Sequence, residues 1–143
     1  MKKIFILSVL AVAAVFVTGC ASSPKVIESD LTSSQLIQKG QNCYEKSDYK
    51  GAIEYFKADI QRYGMDNSIY IEATYEMGHT YNQMKDYRKA YRCFSDILEL
   101  YENAYPGQLP GGYKKLAEIG MNQIPEKVRA EIESSATTSE SAE

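Results

Sequence analysis

The sequence contains few of the residues from which catalytic and metal sites are built. It has a single histidine, His79. A metal site needs several convergent ligands, and no His, Cys, Asp and Glu cluster of suitable spacing accompanies His79. We find no glycine-rich phosphate loop, no Ser/His/Asp set and no nucleophile elbow. The sequence therefore predicts a protein that is not an enzyme and that needs no metal or cofactor.

Paired carboxylates of the kind used in acid and base catalysis are also lacking. Glu72 and Glu76 stand one turn apart along a predicted helix. Two catalytic carboxyl groups must face each other across a substrate, and one helix ridge does not provide that arrangement. We interpret these two residues as part of a solvated helix face.

Clustered positive charge is the third absence. The chain carries 16 Lys and Arg residues against 19 Asp and Glu residues, a formal net charge of -3. A nucleic-acid-binding protein shows a basic patch, and adsorption to anionic lipid needs a Lys/Arg cluster. The sequence therefore argues against nucleic acid as a partner, and any membrane association has to come from a lipid anchor.

The amino-terminal segment, as far as Cys20, has the pattern of a processed export signal. Lys2 and Lys3 precede an apolar run, residues 4–17, that is too short to span a bilayer. The run ends in Val-Thr-Gly-Cys, which resembles the bacterial lipobox, in which the cysteine is lipidated before cleavage. We predict a lipoprotein signal peptide over residues 1–19 and acylation of Cys20. The alternative is an ordinary secretory cleavage site, with Cys20 a bystander.

Cleavage before Cys20 would change the net charge of the chain and leave the lipid anchor at its new amino terminus. It removes two lysines and leaves 14 basic and 19 acidic residues, a net charge of -5. Two or three acyl chains on Cys20 would hold the protein at a membrane stably. Ala21 stands where Asp commonly signals retention at the inner membrane, which favours the outer membrane, facing the periplasm. Residues 20–31 are predicted to be a flexible tether, at most roughly 35 Å long when extended.

One pattern occurs twice between Leu36 and Tyr101, with the same offset at every matched position. A fixed period with small residues at the same points is the mark of a stacked repeat array. The matched residues are Gly40, Tyr49, Ala52 and Phe56, which recur as Gly78, Tyr87, Ala90 and Phe94. We call the offset from Gly40 to Gly78 the repeat period.

Each copy is predicted to be a pair of helices. The first helices span residues 36–45 and 74–83, and turns at 46–48 and 84–86 lead into second helices. Thr32 and Gln35 form a capping-box pattern at the start of the first copy. Gly and Ala would let two helix backbones cross closely, and Phe would fill the space one turn away.

This layout resembles the tetratricopeptide repeat, a helix-turn-helix unit of about 34 residues. The longer period of this chain resembles the repeats of bacterial envelope lipoproteins, of the type found in the outer-membrane assembly lipoprotein and the Tol-Pal coordinator. Residues of that pattern continue between and after the two copies, at Ser68, Tyr70, Ala73, Tyr75, Gly78 and Tyr81, and then at Tyr105-Pro106, Pro110 and Leu116-Ala117.

We therefore predict an all-α fold, a short α-solenoid of two full repeats and a C-terminal partial repeat, over residues 32–133. Two repeats are fewer than the three usually needed for a stable stack. Residues 110–124 and a helix from Pro125 to about Glu133 would complete and cap it. The alternative is burial of the exposed end by a partner or by a second copy, and the oligomeric state stays open. Residues 134–143 contain no apolar side chain larger than Ala and are predicted to be disordered.

The resemblance implies that the first helices line a concave, partner-binding groove. In the third unit, the groove residues implied by the resemblance are Lys114, Glu118, Met121 and Asn122. The predicted groove residues of the first two units are Ile37, Gln41, Tyr44, Glu45, Glu72, Tyr75, Glu76, His79, Asn82 and Gln83.

Two cysteines remain besides Cys20. In an oxidising periplasm Cys43 and Cys93 could pair, but a solenoid places them in different units, and cysteine is also a common buried residue. We expect buried thiols, with the disulfide as the alternative.

The function implied by the resemblance is that of a membrane-anchored scaffold or adaptor. It would bind another envelope protein or peptide, in outer-membrane complex assembly or maintenance. The alternative is a small-molecule or peptide-binding accessory lipoprotein of a transport system, which would need an enclosed apolar cavity.

Overall fold

The computed structural model describes residues 27–140, with side chains described as far as residue 135. This part of the chain consists of α-helices joined by turns and contains no strand, so the predicted all-α class is confirmed. The predicted signal peptide, the lipidation site Cys20, most of the tether and residues 141–143 lie outside the described residues. The helices are α1 (Ser33–Glu45), α2 (Tyr49–Tyr63), α3 (Asn67–Gln83), α4 (Tyr87–Glu102), α5 (Tyr113–Gln123) and α6 (Glu126–Glu140).

The first four helices form two antiparallel hairpins that stack side by side, and α5 packs on the second hairpin as the first helix of a third, incomplete unit. Within the hairpins, α1 packs on α2 and α3 packs on α4, and between them α2 contacts α3 and α4 contacts α5. The first helices of the hairpins also touch, α1 against α3 and α3 against α5. We call the surface formed by α1, α3 and α5 the first-helix face. The repeat-like packing is that of the predicted short α-solenoid.

The first two hairpins close with the same turn. Ser47 and Lys85, which occupy equivalent positions of the two copies, both adopt left-handed backbone conformations, with φ of 60° and 59°. This conformation ends a helix by a Schellman motif, in which two backbone N–H groups satisfy the last carbonyls. The bonds that span each turn join Asp48 N to Cys43 O and Asp86 N to Tyr81 O, each at 2.9 Å.

Small residues on the first helices and phenylalanines on the second helices make the closest packing. Phe56 and Phe94 are completely buried. A Cβ atom placed on Gly40 would lie 2.3 Å from Phe56 Cε1, and one on Gly78 would lie 2.8 Å from Phe94 Cε1. Gly120 of α5 leaves room for the same ring, since its Cβ would lie 2.4 Å from Phe94 Cζ. Phe94 therefore joins the second hairpin to α5, as expected for a stack.

Helix starts differ in how well the sequence pattern locates them. The capping box before α1 is confirmed, because Gln35 N donates to Thr32 Oγ1 and Thr32 N donates to Gln35 Oε1, at 2.9 Å. The predicted start of α3, at Thr74, is too late. The helix begins at Asn67, where Asp66 Oδ1 accepts a hydrogen bond of 2.8 Å from Ser68 N. A short side-chain cap of this kind satisfies the free N–H groups of the first turn.

The described end of the predicted tether is docked on the first hairpin, which corrects its boundary. Leu31 is buried, and the Tyr63 hydroxyl donates to its carbonyl at 2.7 Å. The Arg62 guanidinium donates to the carbonyls of Glu28 and Ile27 at 2.7 and 3.3 Å. Residues 27–31 therefore form a strap fixed against the end of α2, because a buried leucine and three backbone carbonyls find partners there.

The prediction of disorder from residue 134 is wrong for residues 134–140, which continue α6. Ser134 Oγ donates to Glu131 O at 3.0 Å, and Ser135 Oγ donates to Ile132 O at 2.7 Å. No proline or glycine interrupts the chain after Pro125. Adding a residue to an existing helix is far easier than starting one, so the polar segment follows the helix already formed.

Candidate partner-binding face

Aromatic rings form a continuous row across the first-helix face. The ring centroids of Tyr44 on α1 and His79 on α3 are 5.2 Å apart. His79 in turn stacks on Tyr75 at 6.1 Å with an interplanar angle of 8°. Tyr75 meets Tyr113 of α5 edge to face at 5.7 Å, and Tyr49 extends the row beyond Tyr44 at 5.5 Å. The row thus connects both hairpins and α5 with side chains that are partly exposed.

Two carboxylates of α3 lie beside this row. Gln41 Nε2 of α1 donates to Glu76 Oε1 at 2.9 Å, and Glu72 lies close enough to the Tyr113 hydroxyl to affect its pKa. Neither Glu72 nor Glu76 forms a salt bridge with another described residue. Because a carboxylate has about four acceptor positions, both keep capacity for a further donor.

The charge of these carboxylates acts on the tyrosines. Burial raises the pKa of Tyr44 and of Tyr75, and the negative charge of Glu76 raises both further. Burial, followed by the charges of Glu72 and Glu76, raises the pKa of Tyr113 to about 12. The tyrosine hydroxyls therefore stay protonated at neutral pH, and the row lies in a field of negative charge.

Two predicted groove residues point into the structure, which corrects their assignment. Ile37 is buried in the core of the first hairpin with Phe56. Burying its apolar side chain there is more favourable than leaving it exposed to water in a groove. Asn82 ties α3 to α5, since its Nδ2 donates to Gly120 O at 3.4 Å and to Gln123 Oε1 at 3.2 Å. These residues hold hairpins together and do not line an open surface.

The remaining predicted residues lie at the surface of the first helices. Glu45 and Gln83 are exposed at the ends of α1 and α3. Gln41, Tyr44, Glu72, Tyr75, Glu76 and His79 are the partly exposed members described above.

The third unit contributes less than expected. Lys114 is exposed and Glu118 pairs with Lys115 at 3.3 Å. Met121 packs against the core, and Asn122 Oδ1 accepts a hydrogen bond of 3.3 Å from Arg129. The main contact of α5 with the aromatic row is Tyr113, which is absent from the predicted groove residues. A signal for it exists in the sequence, because Tyr113 lies one repeat period after Tyr75.

The two cysteines of the described residues, Cys43 and Cys93, are buried thiols in separate clusters and are not joined by a disulfide. Burial, with the nearby charge of Asp96, raises the pKa of Cys93 to about 12. A thiol with so high a pKa is almost entirely protonated at neutral pH and is a poor nucleophile.

Two cavities in the described part of the chain lie away from the aromatic row. One of about 400 Å³ is lined by Tyr70, Asp96, Glu99, Leu100 and Asn103 of α3, α4 and the residue after α4. Another, of about 370 Å³, lies at the connection between α4 and α5. Typical ligand pockets are predominantly apolar, and the first of these carries two carboxylates. Residues 27–140 also contain no group of three or more His, Cys, Asp and Glu side chains placed to hold a metal ion.

No described helix is both long enough and apolar enough to cross a membrane. No family model matches the chain, and no solved structure matches it. The chain is 26% identical over 125 residues to an uncharacterized protein of Treponema pallidum (strain Nichols). The alignment covers 86% of this chain and 50% of the Treponema protein, so the chain spans about half the length of the relative that it matches.

Proposed function

We propose that the protein is a lipid-anchored scaffold of the bacterial cell envelope whose first-helix face binds another protein. The observation that carries this proposal is the aromatic row, because it runs from α1 across α3 to α5 without a break. Tyrosine is enriched in the cores of protein interfaces, where its ring buries area and its hydroxyl bonds a partner. A stack of hairpins also presents an extended surface of the kind that repeat proteins use for binding.

Anchoring and location form the second part of the proposal. Residues 1–19 would direct export, and acylation of Cys20 would hold the protein at the outer membrane, facing the periplasm. The resemblance to tetratricopeptide-repeat lipoproteins supports a role in the assembly or maintenance of outer-membrane complexes. The proposed partner is a polypeptide, since the acidic charge of the chain argues against nucleic acid.

The test is site-specific photo-crosslinking in intact cells. A benzophenone amino acid replaces Glu45 or Gln83, which are exposed on the first helices, or Lys50 or Arg88, which are exposed on the second helices. The members of each pair occupy equivalent repeat positions, so each site has a matched control in the same hairpin. We expect one and the same partner to be crosslinked at residues 45 and 83, and not at residues 50 and 88.

A variant then ties the crosslink to the aromatic row. Tyr75 contacts His79, Phe94 and Tyr113, so Tyr75→Ala interrupts the row at its centre. We expect a loss of about tenfold in crosslinking yield, which corresponds to about 1.4 kcal/mol of binding free energy. Equal yields from the first and second helices, or an unchanged yield with Tyr75→Ala in a folded protein, would refute the assignment of this face.

The alternative, an accessory lipoprotein that binds a small molecule or peptide for transport, has less support. It needs an enclosed apolar cavity, and the cavities described above lie at the surface and carry charged or polar linings. A thermal shift on addition of a small ligand, unaffected by Tyr75→Ala, would favour this alternative.

A further inference from the structure

The antiparallel hairpins place three segments at one edge of the molecule. The strap (residues 27–31) leads into α1, and the connections at residues 64–66 and 103–112 join one hairpin to the next. Because each hairpin starts and ends on the same side, these segments lie together at what we call the inter-hairpin edge. The turns at residues 46–48 and 84–86 lie at the opposite end of the helices.

The strap fixes where the chain leaves this edge toward Cys20. Arg62 and Tyr63 hold the carbonyls of Glu28 and Leu31 at 2.7 Å, so the chain is attached to the fold from about residue 27 onward. The short segment between Cys20 and Ile27 spans at most about 25 Å when fully extended. The α-helices rise about 1.5 Å per residue, so the far edge lies roughly another 25 Å away. A lipid on Cys20 would therefore bring the inter-hairpin edge nearest to the membrane.

The two most exposed large apolar side chains of the described residues lie at this same edge. Met65 is 99% exposed and Tyr105 is 83% exposed, whereas Met84 in the opposite turn is 37% exposed. Burying either side chain against another surface would remove its apolar area from water, at about 25 cal/mol per Å². Tyrosine is also enriched at membrane–water interfaces, where its ring enters the headgroup region and its hydroxyl stays hydrated.

We propose that the inter-hairpin edge faces the bilayer and that Met65 and Tyr105 enter its headgroup region. This inference rests on the lipid anchor of the proposed function. Insertion stays shallow, because the Asp66 carboxylate next to Met65 caps α3 and would have to remain hydrated. The edge shows no basic cluster, so we expect no attraction to anionic lipid. The lipid anchor and the two apolar side chains would hold the edge against a neutral membrane surface.

The proposed orientation has a consequence for the binding face. Helices that run away from the membrane leave the first-helix face on the side of the molecule, where it stands open to a partner in the periplasm. A protein lying with its helices parallel to the membrane would bring one face of the stack close to lipid.

Lipid quenching of a dye at single positions tests this orientation. The lipidated full-length protein is reconstituted in phosphatidylcholine vesicles that carry a nitroxide at headgroup depth. A dye is attached to Met65→Cys, Tyr105→Cys or the control Met84→Cys; Cys43 and Cys93 are buried, so native labelling favours the new thiol. We expect at least about twofold more quenching at residues 65 and 105 than at residue 84, because interfacial insertion reaches only ~5–10 Å. Equal quenching at the three positions would overturn the inference.

The same preparation separates failure of the orientation from failure of the anchor. A Cys20→Ser variant lacks the thiol that would be acylated. If wild type and Cys20→Ser are released from the vesicles alike, the lipid anchor is refuted, and the orientation falls with it. If wild type stays bound but residues 65 and 84 are quenched equally, only the orientation is wrong. Shielding of residue 65 from aqueous iodide without quenching by lipid would show that a protein, and not the bilayer, covers this edge.

Discussion

The first and second hairpins bury different side chains at equivalent positions. Ser33 and Asp59 of the first hairpin lie one repeat period before Ile71 and Ile97 of the second. Asp59, Ile71 and Ile97 are all completely buried. In the first hairpin Ser33 Oγ donates to Asp59 Oδ2 at 3.2 Å, while the two isoleucines belong to the main apolar cluster.

The comparison separates what defines a hairpin here from what it can vary. Both hairpins keep the left-handed turn residue and the contact between glycine and phenylalanine, so these features set the geometry. The residue at the position of Asp59 and Ile97 differs between the hairpins, so it does not set this geometry. Its polar version is costly, because Asp59 Oδ1 has no hydrogen-bond partner among the described residues. Burial raises the pKa of Asp59. The hydrogen bond from Ser33 lowers this pKa, and the negative charge of Glu72 raises it further.

Placing the aspartate of the first hairpin at the equivalent position of the second should have the largest effect on stability. Ile97→Asp places the first hairpin's carboxylate in the second, where Ile71 offers no hydroxyl. We expect a loss of roughly 3–5 kcal/mol in the free energy of unfolding, the cost of an uncompensated buried charge, measured by urea denaturation at pH 7. Ile97→Val is the matched control and should cost only about 0.5–1.5 kcal/mol.

The double variant Ile71→Ser/Ile97→Asp sharpens the comparison. A serine at residue 71 would supply the donor that Asp59 receives from Ser33. If the two hairpins are equivalent, the double variant should be less destabilised than the sum of the single variants. A strictly additive loss would show that the polar pair is specific to the first hairpin.

A second, smaller effect concerns the junction between the second hairpin and α5. Gly120→Ala puts a Cβ atom 2.4 Å from Phe94 Cζ in a fully buried site, so the ring or the helix must shift. We expect a loss of about 1–3 kcal/mol by thermal or urea unfolding, as for other overpacked cores. Gly111→Ala is the control, because nothing lies within 4 Å of its Cβ position. Equal stability of the two variants would mean that α5 is not fixed against Phe94.

Much of the fold could be predicted because its determinants repeat. One constant offset marks both turns, both glycines and both phenylalanines, and the capping box at Thr32 is visible as a local pattern. The strap is not predictable in this way. Its stability depends on long-range bonds from Arg62 and Tyr63 to backbone carbonyls, which leave no periodic mark in residues 27–31.

The candidate face could be predicted only in part, for a related reason. The repeat pattern identifies the helix on which a residue lies, and it places Tyr44, Tyr75 and His79 correctly at the surface of the first helices. It does not give the rotation of each helix about its axis, so it assigns Ile37 to the groove although this residue packs inside. The repeat period marks Tyr113 as the equivalent of Tyr75, but the contact between the two rings depends on how α5 docks against Phe94.

The smallest predicted effect tests the buried carboxylate of the first hairpin through its pH dependence. Because burial raises the pKa of Asp59 above its ordinary value of 3.8, the folded protein holds this proton more tightly than the unfolded chain. The stability contributed by protonated Asp59 is thus complete below pH 3.8 and is lost as the pH rises through the folded-state pKa.

Asp59→Asn removes this titration and keeps an oxygen that accepts from Ser33. We expect the variant to be more stable than wild type by about 1 kcal/mol at pH 7 and nearly equal at pH 4, measured by urea unfolding. Glu102→Gln, which removes an exposed carboxylate, should show no such difference; a gain from Asp59→Asn that does not depend on pH would contradict this account of the first hairpin.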